Sequence, residues 1–134
     1  MKRQAVCWLL LAAWLLTACG GPADAGAIIL PDPGNIAQVA MTDGKTEVVS
    51  RDAALIARLL KTLEKAASTG EASVRDEPEG AWTVRLDFTF RSGGESRLFL
   101  YRQGGSLLLE QPFQGVWRTD GAVLELLKEA GGWT

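Results

Sequence analysis

Trp82-Thr83-Val84-Arg85-Leu86-Asp87-Phe88-Thr89-Phe90 alternates apolar and polar residues without a break. A period of two marks a β-strand that is dry on one face and wet on the other. Trp82, Val84, Leu86, Phe88 and Phe90 fall on the first face, and Thr83, Arg85, Asp87 and Thr89 on the second. Ser92-Gly93-Gly94-Glu95 then turns the chain into a strand over Arg97–Arg102, and Gln103-Gly104-Gly105-Ser106 turns it again into Leu107–Gln111. The result is a three-stranded meander. Its register stays open. A two-residue Gly-Gly loop places Phe99 and Tyr101 beside the Trp82/Phe88 face, whereas a three-residue loop places Leu98 and Leu100 there. A one-residue slip exchanges the faces.

Upstream, Ile36–Met41 reads as a strand with Ala37, Val39 and Met41 on one side. The turn Thr42-Asp43-Gly44-Lys45 leads to a second strand over Thr46–Ser50, making a hairpin. Asp52 is an N-cap for a helix over residues 53–67, because its carboxylate can accept an unpaired amide of the first turn. Ile56, Leu59, Leu60, Leu63 and Ala67 share one face of that helix, and Arg58, Lys61, Glu64 and Lys65 the other. A leucine stripe of this kind is a core face. Ser68–Gly80 is a polar loop whose Asp76-Glu77-Pro78-Glu79 reads as a solvated acidic turn, since no second cluster of ligands lies near it in the sequence. Pro112 has no amide to donate and ends regular pairing. A final helix, capped by Thr119 or Asp120, runs to Ala130 and stops at Gly131-Gly132. The order ββαβββα predicts an α+β domain, an antiparallel sheet of about five strands with two helices packed against it.

The N-terminus reads differently. Lys2 and Arg3 precede an apolar run from Ala5 to Leu16, and Leu16-Thr17-Ala18-Cys19-Gly20 follows. The run is about a dozen residues, short of the ~20 that a spanning helix needs, and its flanks are those of a processing segment. The pattern resembles a bacterial lipoprotein signal peptide with its lipobox. It implies removal of residues 1–18, acylation of Cys19 with fatty chains such as palmitate, a short tether over 19–27 and one folded domain over 28–134. The address is extracytoplasmic, on the outer leaflet of the cell membrane.

Composition narrows the chemistry. The 134 residues include no histidine and two cysteines, Cys7 and Cys19. Removal of the first segment discards one thiol and acylation uses the other, leaving no disulfide and no free thiol. Ser-His-Asp and Cys-His catalysis and the usual nitrogen and sulfur zinc sites are thereby excluded. No spacing resembles a calcium loop, and none of the glycine pairs forms a phosphate-binding fingerprint. No metal, cofactor or catalytic residue is expected. From Cys19 onward the formal charge is −4, from 12 basic and 16 acidic side chains, so bulk charge favours neither nucleic acid nor anionic lipid. The membrane partner is met through Cys19.

Two groups of residues are candidates for binding a small ligand or an envelope protein. Arg85, Arg97 and Arg102, with Arg91, fall partly on one sheet surface and can receive an anion, although Asp87 can pair with them across strands instead. Phe113 and Trp117, with Trp133, lie outside the strong strand pattern and either meet a partner or plug the end of the sheet.

Ile29-Leu30-Pro31-Asp32-Pro33, the Asp-capped leucine helix, the glycine-punctuated meander and Glu110-Gln111-Pro112-Phe113-Gln114-Gly115-Val116-Trp117 together resemble an uncharacterised domain family of Firmicute lipoproteins and cell-surface proteins. The resemblance covers residues 28–128. It implies a Gram-positive setting and carries over no catalytic residue.

The reading that follows is a non-enzymatic binding or accessory lipoprotein of the cell envelope. Two others remain: an inhibitor or regulator presenting residues 112–118 to an envelope enzyme, and a carboxylate-based hydrolase with two carboxyls facing each other about 5–10 Å apart. A domain without a disulfide must show the same thermal unfolding midpoint with and without dithiothreitol, as read by circular dichroism.

Overall fold

The computed structural model describes residues 26–131. Cys7, Cys19 and Trp133 lie outside them. Seven strands form one antiparallel sheet in the order β2-β1-β4-β5-β6-β7-β3. The strands are β1 (Ile36–Thr42), β2 (Glu47–Ser50), β3 (Ala67–Ser68), β4 (Val84–Phe90), β5 (Glu95–Gln103), β6 (Ser106–Gln111) and β7 (Gly115–Thr119), and the helices are α1 (Ala53–Leu63) and α2 (Ala122–Gly131). The architecture is the expected α+β arrangement, with seven strands rather than about five. Among the described residues no helix is long and apolar enough to cross a membrane.

Both extra strands sit at one edge. Pro112 does interrupt pairing, but only for a turn: β7 resumes it with Leu109 opposite Trp117 and Gln111 opposite Gly115. The helix predicted to reach residue 67 ends at Leu63, because Ala67 and Ser68 pair instead with Arg118 and Trp117. Alanine favours a helix by only tenths of a kcal/mol over most residues, less than the paired main chain of an otherwise open edge supplies.

The meander register is settled by the β4–β5 turn. Gly93 and Gly94 both adopt positive φ, +97° and +88°, a region closed to most side chains. The Phe90 amide donates to the Gly94 carbonyl at 3.0 Å, and Leu86 falls opposite Leu98 and Val84 opposite Leu100. The dry face therefore carries Val39, Met41, Val84, Leu86, Phe88, Leu98, Leu100, Leu109 and Trp117, all buried. Helix α1 lays Ile56, Leu59, Leu60 and Leu63 on it, and α2 adds Val123 and Leu127. The Asp52 carboxylate accepts the Ala54 amide at 2.9 Å and caps α1. Asp120 does the same for Ala122 at 2.8 Å.

Trp82 does not join this face. Pairing in β4 begins at Val84, so the alternation fails one step earlier. The indole packs edge-to-face on Phe99, with ring centroids 5.7 Å apart, and the Arg85 guanidinium lies 5.9 Å from its centre. Phe99 and Arg85 are opposite one another on the second face. That face is covered as well. Because β3 pairs at the far edge while β4 lies inside the sheet, residues 69–83 must return across the sheet surface that the helices leave open. Ser73 and Pro78 are buried there.

Phe88 is fully buried and Asp52 exposed, which separates their roles. Phe88→Ala should cost about 3–5 kcal/mol through lost burial and a cavity, and Asp52→Ala about 1 kcal/mol through the lost cap, both read from urea unfolding.

Candidate functional site

Strand β6 is unusual in being buried along both faces. Leu107 and Leu109 face the helices, Leu108 faces the other way, and the next two residues are the buried polar pair Glu110 and Gln111. Alternation sends these two side chains to opposite faces. Each fastens an irregular segment there.

On the loop face, Glu110 Oε1 accepts the Ser73 hydroxyl at 2.8 Å and Oε2 accepts the Tyr101 hydroxyl at 2.9 Å. Ser73 Oγ in turn accepts the Phe113 amide at 3.3 Å. Main-chain bonds extend the seam: the Thr69 amide and hydroxyl donate to the Val116 carbonyl, and the Val116 amide donates to the Glu71 carbonyl. On the helix face, Gln111 Nε2 donates to the Ile29 carbonyl at 2.9 Å and Trp117 Nε1 to the Gly26 carbonyl at 3.1 Å. Residues 26–30 are thereby strapped across β6 and β7, and Ile28 enters the core. The strap reaches back into the segment read as tether.

Between the 71–81 loop and β5–β7 lies an open cleft of about 700 Å³. Glu71, Arg75, Glu79, Tyr101, Arg102 and Glu110 supply its polar lining, and Val74 and Val116 its apolar contacts. Arg75 and Glu79 pair at 3.6 Å across one exposed helical-type spacing of the loop. Burial pushes the Tyr101 phenol far above its ordinary pKa, and its hydrogen bond to Glu110 adds to the shift. The floor of the cleft is therefore a protonated phenol donating to a carboxylate that accepts one hydrogen bond on each oxygen. Such a set offers hydrogen bonds and charge to a polar ligand. Among the described residues, no group of three or more Asp or Glu is placed to hold a metal ion.

The arginines expected to share a surface are divided. Arg85 Nε and Arg97 Nε both bind Asp87, at 3.0 and 2.6 Å. Arg102 belongs to the other alternation of β5 and is exposed at the cleft margin. The two aromatics are also divided: Trp117 is 2% exposed, while Phe113 is 64% exposed. Trp117 plugs the core and its indole holds the strap, so Phe113 is the one aromatic that the 112–118 segment presents. Ser73, Tyr101, Glu110 and Gln111 were not singled out as site residues from the sequence. The available signal was a carboxylate directly after Leu107-Leu108-Leu109, where a strand buried on both faces has no ordinary place for charge.

Raising the Tyr101 pKa in the folded state means that the fold binds this proton more tightly than the unfolded chain. The associated stability is complete below the unfolded value of about 10 and is lost as pH rises above it. Urea midpoints measured from pH 8 upward should fall more steeply for the natural protein than for Tyr101→Phe. Glu110→Ala should cost about 2–3 kcal/mol at neutral pH by stranding two hydroxyl donors.

No curated protein matches the chain. An NMR structure of a protein from Ruminococcus gnavus has the same fold, with a TM-score of 0.65 over 75% of this chain and 99% of that one, at 19% identity. The DUF5301 family model, described as "Domain of unknown function (DUF5300)", matches residues 24–118. The match takes in the strap, both helix-face and loop-face seams and six strands complete, and the chain belongs to that family.

Proposed function

We propose that this protein is an extracytoplasmic lipoprotein, held on the outer leaflet of the cell membrane through Cys19, whose domain is a non-enzymatic binding module of the envelope. The observation that carries the binding role is the polar cleft of about 700 Å³ between the 71–81 loop and the sheet. Its size is that of a small-molecule or side-chain site, and its three carboxylates and two guanidiniums suit a polar ligand that carries both charges. The lipobox Leu16-Thr17-Ala18-Cys19-Gly20 supplies the address.

The absence of histidine from the sequence supports a role without catalysis. Glu110 supports it too. The residue is 8% exposed and its carboxylate takes a hydrogen bond on each oxygen, from Ser73 and Tyr101, which suits a structural fastener. Ser73 has no imidazole beside it to take its proton, because the sequence contains no histidine.

Growth with an alkynyl palmitate analogue should label the natural protein and Cys7→Ala but not Cys19→Ala, with loss of detergent-phase partition in the last. A photoreactive residue at Gln103, on the cleft margin, should capture a discrete adduct in the native membrane. The same probe at Lys61, on the helix face, should not. Equal capture from both positions would sink the cleft as the binding site.

A further inference from the structure

Four large apolar side chains are exposed among the described residues: Ile29, Val49, Val74 and Phe113. Hydrogen bonds tie three of them, two through a neighbouring residue, to the β6–β7 turn at one end of the sheet. Gln111 Nε2 holds the Ile29 carbonyl on the helix side of β6. Ser73, the neighbour of Val74, holds the Phe113 amide on the loop side. The β6–β7 turn thus carries Phe113 between the strap that bears Ile29 and the loop that bears Val74, side chains 69% and 75% exposed. Phe113 is also the one non-glycine residue with positive φ among the described residues, at +62°. A glycine would adopt that backbone without strain. What phenylalanine adds there is its ring, held out toward solvent. Large apolar side chains left exposed about one turn mark a surface that meets something else.

The chain leading to Cys19 joins the fold at the same place. Gly26 is fastened to Trp117, two residues into β7 from the turn, and Ile29 to Gln111, the last residue of β6. Gly26 lies seven positions after Cys19, a span of at most about 25 Å when fully extended. An acyl chain on Cys19 therefore keeps this end of the domain within about 25 Å of the bilayer surface.

We propose that Ile29, Val74 and Phe113 form a membrane-docking face that inserts at the boundary between headgroups and acyl chains of the bilayer carrying Cys19. The inference rests on the acylation of Cys19 proposed above. Apolar insertion drives it, since the formal charge of −4 from Cys19 onward gives no general attraction to anionic lipid. Three side chains alone bind a bilayer weakly, but the tether makes the contact intramolecular and a weak one suffices. Docking also has a consequence for the cleft. Val74 lines it, so the Val74 margin of the ligand site is the part nearest the headgroup layer.

The acylated chain has no free thiol, so a single introduced cysteine accepts one nitroxide label. The acylated full-length mature protein, with Gln114→Cys or Lys45→Cys, is reconstituted into phosphatidylcholine vesicles, and acylation of Cys19 is verified by mass spectrometry. Lys45 lies in the turn at the opposite end of the sheet. The label at position 114 should become several-fold less accessible to an aqueous nickel complex, and more accessible to oxygen, than the label at position 45. Phe113→Ser should reverse most of the difference, and Ile29→Ser or Val74→Ser part of it. Equal water accessibility at the two positions in protein that floats with the vesicles overturns docking and leaves the anchor intact. Unacylated Cys19 overturns the anchor and docking together. Shielding that appears only in native membranes, and not in phosphatidylcholine, assigns the face to a protein partner and overturns insertion.

Discussion

A sheet that buries apolar residues on both faces of β5 and β6 must be covered twice there, and the two α-helices among the described residues lie on one side. Strand β6 is where that demand is sharpest: Leu107, Leu108 and Leu109 are all buried. The second cover is an irregular segment, residues 69–83, which brings no apolar stripe and little regular hydrogen bonding of its own. It stays in place because Glu110 gives its carboxylate to Ser73 and Tyr101 and because β7 lends main-chain partners to Thr69 and Glu71. A buried carboxylate without such donors would be a serious cost. With them it is a fastener, since hydrogen bonds to a charged acceptor are the stronger ones.

Gln111 performs the same task on the other face with a neutral amide. It holds Ile29, while Trp117 holds Gly26. Its Oε1 is left buried and without a hydrogen-bond partner among the described residues. Adjacent residues of one strand thus secure both irregular covers, and Pro112 then releases the chain into the Phe113 turn. The Glu-Gln-Pro-aromatic-x-Gly segment is in this sense a structural lock. The cleft follows from the lock. A loop spanning a sheet between two pinned points leaves space beneath its unpinned part, and residues 74–81 provide it.

Much of the fold was legible because local rules agree with global ones. The Asp52 cap, the Ile56/Leu59/Leu60/Leu63 stripe and the Gly104-Gly105 hairpin all stand where spacing and residue type put them. The failures share a cause. Trp82 continued a perfect alternation and yet turned to Phe99, because alternation holds only while the chain is paired, and pairing starts at Val84. Ala66 and Ala67 continued a helical pattern until an open strand edge took the chain. Of the candidate site, Phe113 was legible as an aromatic outside the strand pattern. Glu110 and Tyr101 were not, because their meaning lies in a contact with Ser73, 37 positions away from Glu110 in the chain.

The sequence by itself determined the class of the domain, the two faces of β4 from Val84 onward and the chemistry that the chain lacks. Periods of 2 and 3.6 are local properties of the backbone, and the absence of an imidazole needs no coordinates. Tertiary structure alone decided which strand edges were taken, which residues of β5 faced the helices, and which polar side chains were buried. Those outcomes depend on where a loop of fifteen residues, 69–83, returns across the sheet, and on the left-handed backbone at Gly93 and Gly94. Both are settled by competition among distant partners for the same main-chain groups, which no spacing within a single segment records.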